Sequence, residues 1–140
     1  MANPTEQTEY KFGAIRELQE LHTSVSFVIG AEAANIINVG IQLKDGKTGV
    51  DCGERRSVLI YLSDDANGDS IVATAPSGAV AIGTDGVLHD IGGGSKKVFM
   101  AVSEADGDID INITEVAAKT LYMIVVAGNL LHASAAITFA

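Results

Sequence analysis

The chain has 140 residues, enough for about one domain with a buried core, and 47% hydrophobic against 19% charged residues exclude a disordered tract or a coiled coil. Nine Lys and Arg against 18 Asp and Glu leave a net charge of −9, which argues against nucleic acid as a direct partner, because phosphate binding needs surplus cations. A single cysteine, Cys52, excludes an internal disulfide and a Cys-rich zinc site, and no apolar run approaches the roughly 20 residues needed to span a bilayer.

Residues 1–23 lack the basic-then-apolar order of a signal peptide. Phe12, Ile15, Leu18 and Leu21 recur about every three residues, which suits one apolar stripe on a short N-terminal helix or arm. Pro4 and Thr5 stand where helix entry signals belong, while Gly13 weakens a helix by about 1 kcal/mol relative to alanine. A helix this short is marginal in water. It must therefore lie on its own domain or on a neighbouring subunit.

From residue 24 to the end the pattern changes to period two. Val25, Phe27 and Ile29 alternate with small or polar residues, as do Ile37, Val39, Ile41 and Leu43. The Lys44-Asp45-Gly46-Lys47 segment predicts a tight reversal, with Asp-Gly supplying the positive φ angles. Ser57 to Leu62 predicts a strand, Ser63 to Ser70 a polar loop, and Ile71 to Thr74 a further strand. Turns at Pro76-Ser77-Gly78 and Asp85-Gly86 flank Val80–Ile82 and precede Val87–His89. Val98 to Val102 follows a glycine-rich loop, and Ile109, Ile111 and Ile113 alternate with Asp108, Asp110 and Asn112. Leu121 to Val126 is apolar on both faces, and Ser134 to Phe139 predicts the last strand. Seven to nine short strands without helical crossovers predict an all-β, antiparallel two-sheet β-sandwich.

Few residues offer chemistry. Asp64, Asp65, Asn67 and Asp69 make an oxygen-rich loop of the type that holds calcium. The helix-loop-helix calcium pattern fails, because Pro76 stands where a bidentate Glu is needed. Residues 63–115 hold ten acidic residues and two lysines, so most of the negative field comes from this stretch. Asp106, Asp108 and Asp110 read as a solvated strand face. Gly92 to Lys96 lacks the order and context of a phosphate loop, and His22, His89 and His132 are too scattered for a zinc pattern. Cys52 lies beside Arg55 and Arg56, which lower a thiol pKa, but carries no catalytic signature. No Gly-x-Ser-x-Gly occurs, and the absence of tryptophan leaves poor provision for stacking sugars. These residues predict no catalytic set, no cofactor, no resident metal and no enzyme.

The run from Val58 to Gly68, the run from Thr74 to Gly86, the phrase Ser103 to Asp110 and the ending Ala135 to Ala140 resemble a group of tailed-bacteriophage and prophage virion proteins with small Ig-like β-sandwich domains. The resemblance covers about residues 35–140. It implies an Ig-like sandwich, with a jelly roll as the alternative, and a tyrosine corner at Tyr122 or Tyr61. It also implies a non-enzymatic capsid decoration or cement protein on the virion surface, made in the host cytoplasm. Such a protein binds the major capsid protein as a homo-oligomer, dimer or trimer, with neither nucleic acid nor membrane as partner. Phe12, Ile15, Leu18 and Leu21 are then the partner-binding residues. A tail or head-fibre protein, and a calcium-dependent glycan-binding module, are the alternatives.

Overall fold

Alternating apolar residues form the first hairpin of the computed structural model, which describes residues 23–140. Phe12, Ile15, Leu18 and Leu21, with the rest of the predicted N-terminal helix or arm, lie outside the described residues. Strand β1 (Thr23–Ile29) pairs antiparallel with β2 (Ile36–Asp45), which places Val25, Phe27 and Ile29 opposite Leu43, Ile41 and Val39. Beyond Ile29 the pairing slips by one residue, because Ala33 rather than Glu32 faces Ile36. The slip is a β-bulge. The hairpin then closes through Ala34 and Asn35, at φ 51° and 66°.

Eight more strands follow: β3 (Ser57–Ser63), β4 (Val80–Ile82), β5 (Val87–Asp90), β6 (Val98–Val102), β7 (Asp108–Thr114), β8 (Lys119–Ala127), β9 (Leu130–Ala133) and β10 (Ile137–Phe139). They form two antiparallel sheets. The smaller runs β1-β2-β7-β4, and the larger runs β10-β8-β3-β6-β5, with β9 also on the free edge of β8. From β3 the chain crosses to β4 at the edge of the smaller sheet, then returns to the larger sheet at its outermost strand β5 before β6.

The inner faces make one core. Val39, Leu43, Ile60, Leu62, Ile109, Ile111, Leu121 and Met123 have no solvent exposure, and Phe99 and Phe139 are among the largest side chains buried with them. These side chains alternate with the outward residues of their strands, as period two requires.

Three elements differ from the sequence reading. Ile71 to Thr74 is not a strand: Ile71 makes a single bridge to Ser63, and Val72 donates its N–H to the Leu62 carbonyl at 2.8 Å and plugs the core. Leu130–Ala133 is a strand the reading missed, joined to β8 by the two-residue loop Gly128-Asn129 with Gly128 at φ 61°. The expected strand from Ser134 is delayed to Ile137, because the Ser134 hydroxyl and N–H bond the Met123 backbone and shift the pairing by one residue. The reversal after Leu43 also differs. Gly46 keeps a negative or extended φ, and the Asp45 carboxylate accepts the N–H groups of Lys47 and Thr48, with Gly49 supplying the left-handed residue.

An alanine in the left-handed region is strained by roughly 1 kcal/mol, which asparagine tolerates better. Replacing Ala34→Asn is expected to stabilise the protein by about 0.5–1 kcal/mol, read as a higher urea midpoint at unchanged slope.

Candidate functional site

The two outer faces of the sandwich differ in chemistry at their centres. On the smaller sheet the outward positions of β2 and β7 include Asn38, Gln42, Asp108, Asp110 and Asn112, with Asn38 facing Asn112 and Gln42 facing Asp108, while Val28 on β1 is an exposed apolar residue of the same face. Asn38 donates to Asn112 Oδ1 at 2.8 Å and to Asp110 Oδ2 at 3.1 Å. Asp110 also receives the N–H groups of Thr84 and Asp85, each at 2.6 Å. Burial works against ionisation of Asp110, but these donors prevail and hold its pKa below the usual carboxylate value. Asp108 goes the other way, raised by burial and then by Asp85, Asp106 and Asp110. The face expected to be merely solvated is thus a hydrogen-bonded platform for the turn before β5.

On the larger sheet the central outward positions are apolar, while Ser57, His89, Thr120 and Thr138 are polar positions on the same face. Register aligns Leu131, Val126, Leu59, Met100 and His89 in one row across β9, β8, β3, β6 and β5. Leu131 is 56% exposed, Met100 44% and Leu59 37%, and Ile91 at the end of β5 is 51% exposed. Between them lies a shallow groove of about 290 Å³ lined by Ser57, Val58, Leu59, Ile91, Met100, Val126 and Gly128. An antiparallel sheet with one wet face ordinarily carries polar residues there. Along this row Leu131, Val126, Leu59 and Met100 take such positions, with His89 at the end. At one end a loop covers the face: Tyr61 Oη donates to the Gly68 carbonyl at 2.6 Å, and Ile124 beneath is fully buried. Tyr61 on β3 thus makes a hydroxyl-to-backbone bond from the outer face.

The remaining candidates are tied into the fold. In the Asp64–Asp69 loop, Asp65 accepts the N–H groups of Asn67, Asp69 and Ser70 and the Ser70 hydroxyl, all at 2.9–3.1 Å. The Asp69 N–H contributes most to lowering its pKa. Asp64 accepts the Ala73 N–H at 2.7 Å. Among the described residues no group of three or more His, Cys, Asp or Glu side chains converges as a cation site. In the glycine-rich loop the Asp90 carboxylate takes the N–H groups of Gly92 and Lys96 at 2.8 Å each, so the chain's own anion fills that cradle. Cys52 is buried, and burial raises its thiol pKa more than Arg56 lowers it. His89 and His132 stand on strands at opposite edges of the larger sheet, and His22 lies outside the described residues.

One constellation escaped the sequence reading. Six successive carbonyls, from Ala73 to Gly78, accept hydrogen bonds from three lysines. Lys97 takes Ala73, Lys119 takes Thr74 and Ala75, and Lys96 takes Pro76, Ser77 and Gly78, at 2.6–3.3 Å. Glu115, at 3% exposure, locks the same loop by accepting the Ser77 hydroxyl at 2.7 Å, the N–H groups of Ala117 and Ser77, and the Lys119 ammonium at 3.4 Å. The Ser77 hydroxyl leads the donors that lower the Glu115 pKa to about 2 against the effect of burial. No spacing rule links lysines at 96, 97 and 119 to a loop at 73–78. Each oxygen and ammonium in this set is already partnered, which makes it a brace rather than a site for a ligand.

No known protein family matches the chain. No curated protein sequence matches it either.

A carboxylate whose pKa is depressed on folding adds stability above its unfolded value and loses it as pH falls through the folded one. For Glu115 that window runs from 4.5 down to about 2. Replacing Glu115→Gln is expected to cost about 1–3 kcal/mol at neutral pH and to flatten the fall in stability across that window, as measured by denaturant melts from pH 2 to 7.

Proposed function

We propose that this protein is a non-enzymatic virion component, a capsid decoration or cement protein that binds the major capsid protein lattice and stabilises the head. The observation that carries the reading is the apolar row Leu131, Val126, Leu59 and Met100 on the outer face of the larger sheet, with Leu131, Met100 and Leu59 exposed. A contiguous apolar patch marks an interaction site. Attachment then comes from burying this face against the shell, at about 25 cal/mol per Å² before association costs are subtracted. The row carries no charge and its partner must be equally apolar at the centre, with polar contacts at the rim. Phe12, Ile15, Leu18 and Leu21, in the sequence before β1, are the further partner-binding residues of this reading.

A lattice multiplies the contact. Many copies of one weak site, presented by a homo-oligomer at two-fold or three-fold positions, bind with an avidity that a single copy lacks. The acidic charge keeps free copies soluble and apart from nucleic acid. The braced loop from Ala73 to Gly78 contributes rigidity at the sandwich end and takes no part in the contact.

Sedimentation with purified heads and, separately, with purified tails of the phage that encodes the chain tests the reading. The wild-type protein is expected to pellet with heads, and Leu59→Asp and Met100→Asp to lower its affinity at least tenfold, or about 1.4 kcal/mol. Circular dichroism melts check that both variants remain folded. Pelleting with tails alone, or equal binding by folded variants, defeats the proposal.

A further inference from the structure

We infer that the protein forms a two-fold dimer in which the outer edge of β1 pairs antiparallel with the same edge of a second copy, joining the two smaller sheets into one. The inference rests on the homo-oligomer of the reading above and names the surface that joins its copies. Three observations carry it.

The first is an open ladder. The Gly30 N–H bonds the Asn38 carbonyl at 2.8 Å, while the Leu43 N–H and carbonyl bond Gly107 and Cys52 rather than Val25 opposite. Antiparallel pairs alternate between bonded and unbonded. Ser24, Ser26 and Val28 therefore bond β2, and Thr23, Val25, Phe27 and Ile29 turn their N–H and C=O groups outward. Among the described residues no strand pairs with that edge. Solvent-facing edges are ordinarily blunted by brevity, charge, proline or a bulge. Strand β1 has seven residues with no charge and no proline, and its bulge lies beyond Ile29. By contrast β4 has three residues, and β5 ends in Asp90.

The second is a core left open at this edge. Val25, Phe27 and Ile29 pack inward yet are only half-buried, whereas Leu43, Ile41 and Val39 beside them are buried. A strand that completes the edge must bring apolar side chains to the inner face at alternate positions. Strand β1 meets that requirement for itself. Antiparallel pairing about Ser26 sets Val25 against the second copy's Phe27 and Thr23 against its Ile29. Every outward N–H in both copies then finds a carbonyl.

The third is charge. A net charge of −9 drives copies apart unless they meet where charge is absent. Strand β1 lies against β8, and the Ala140 N–H after β10 reaches Glu32 at 2.9 Å, so β1, β9 and β10 end the two sheets on one side of the sandwich. These three strands contain no Lys, Arg, Asp or Glu. An antiparallel edge pair has its two-fold axis perpendicular to the joined sheet. Both copies therefore turn the row of Leu131, Leu59 and Met100 the same way, and one surface can engage both rows at once.

The test is analytical ultracentrifugation of the full chain, with wild type expected at twice the mass of one chain. Ser26 is exposed and stands opposite itself in the pair. Ser26→Lys and Ser26→Asp each set like charges together and are expected to weaken the dimer at least tenfold. An equimolar mixture of the two variants is expected to restore it, because opposite charges then face each other. Circular dichroism melts check that both variants fold. A monomeric wild type overturns the inference, as do single variants that dimerise as tightly as wild type, or a mixture no tighter than either variant alone. Slow hydrogen exchange at the Val25, Phe27 and Ile29 amides of a monomer assigns the edge to the chain's own residues and overturns it too. Head binding is read separately by sedimentation, so a monomer that still pellets with heads refutes the dimer and leaves the shell contact standing.

Discussion

The period-two alternation of β2, β3, β7 and β8 sends one side chain of every pair into the space between the sheets, and there Val39, Ile60, Leu62, Ile111 and Met123 lose all contact with water. That burial dictates what is left outside. A sandwich has two outer faces, and the residues between the core positions decide the character of each. On β7 they are Asp108, Asp110 and Asn112; on β3 and β6 they are Leu59 and Met100. The polar face is satisfied by its own amide and carboxylate network. The aliphatic one has no such internal solution, because apolar surface is removed from water only by another surface.

Loops in this molecule are fastened by charge rather than by strand pairing. The segment from Asp64 to Ala79 crosses from the larger sheet to the smaller without forming a strand, so its carbonyls find donors outside any ladder. Lysine ammonium groups supply them at six consecutive positions, and Glu115 binds Ser77 and Lys119 together. Asp65, Asp90 and Asp110 play the same part on the N–H side of their turns. Much of the acidic charge that dominates the composition is consequently structural. Carboxylates that accept backbone N–H groups are poorly disposed to bind cations or to shuttle protons, and this is why an acid-rich sequence yields a protein whose surfaces, not its titratable groups, suggest what it does.

Legibility from sequence tracked the range of the interaction. Ile109, Ile111 and Ile113 announced β7 because alternation is local, and Gly86 announced its turn because a left-handed φ selects glycine. Ile71 to Thr74 looked like a strand for the same local reasons, yet distant lysines satisfied the backbone instead. The Gly128-Asn129 signal for a hairpin was present and was hidden by the apolar run on either side of it. Asp110 read as a solvated residue because Thr84 and Asp85, its partners, are more than twenty residues away.

By itself the sequence determined the all-β class, most strand positions and the inward set of side chains, since each depends only on neighbours two residues apart. It also displayed the apolar stripe before β1, though without its place in the structure. Only the tertiary structure decided the strand order, the lysine brace and the alignment of Leu131, Val126, Leu59 and Met100 into one apolar row. The reason is physical: these four residues are far apart along the chain, and a surface exists only once register has brought its members side by side.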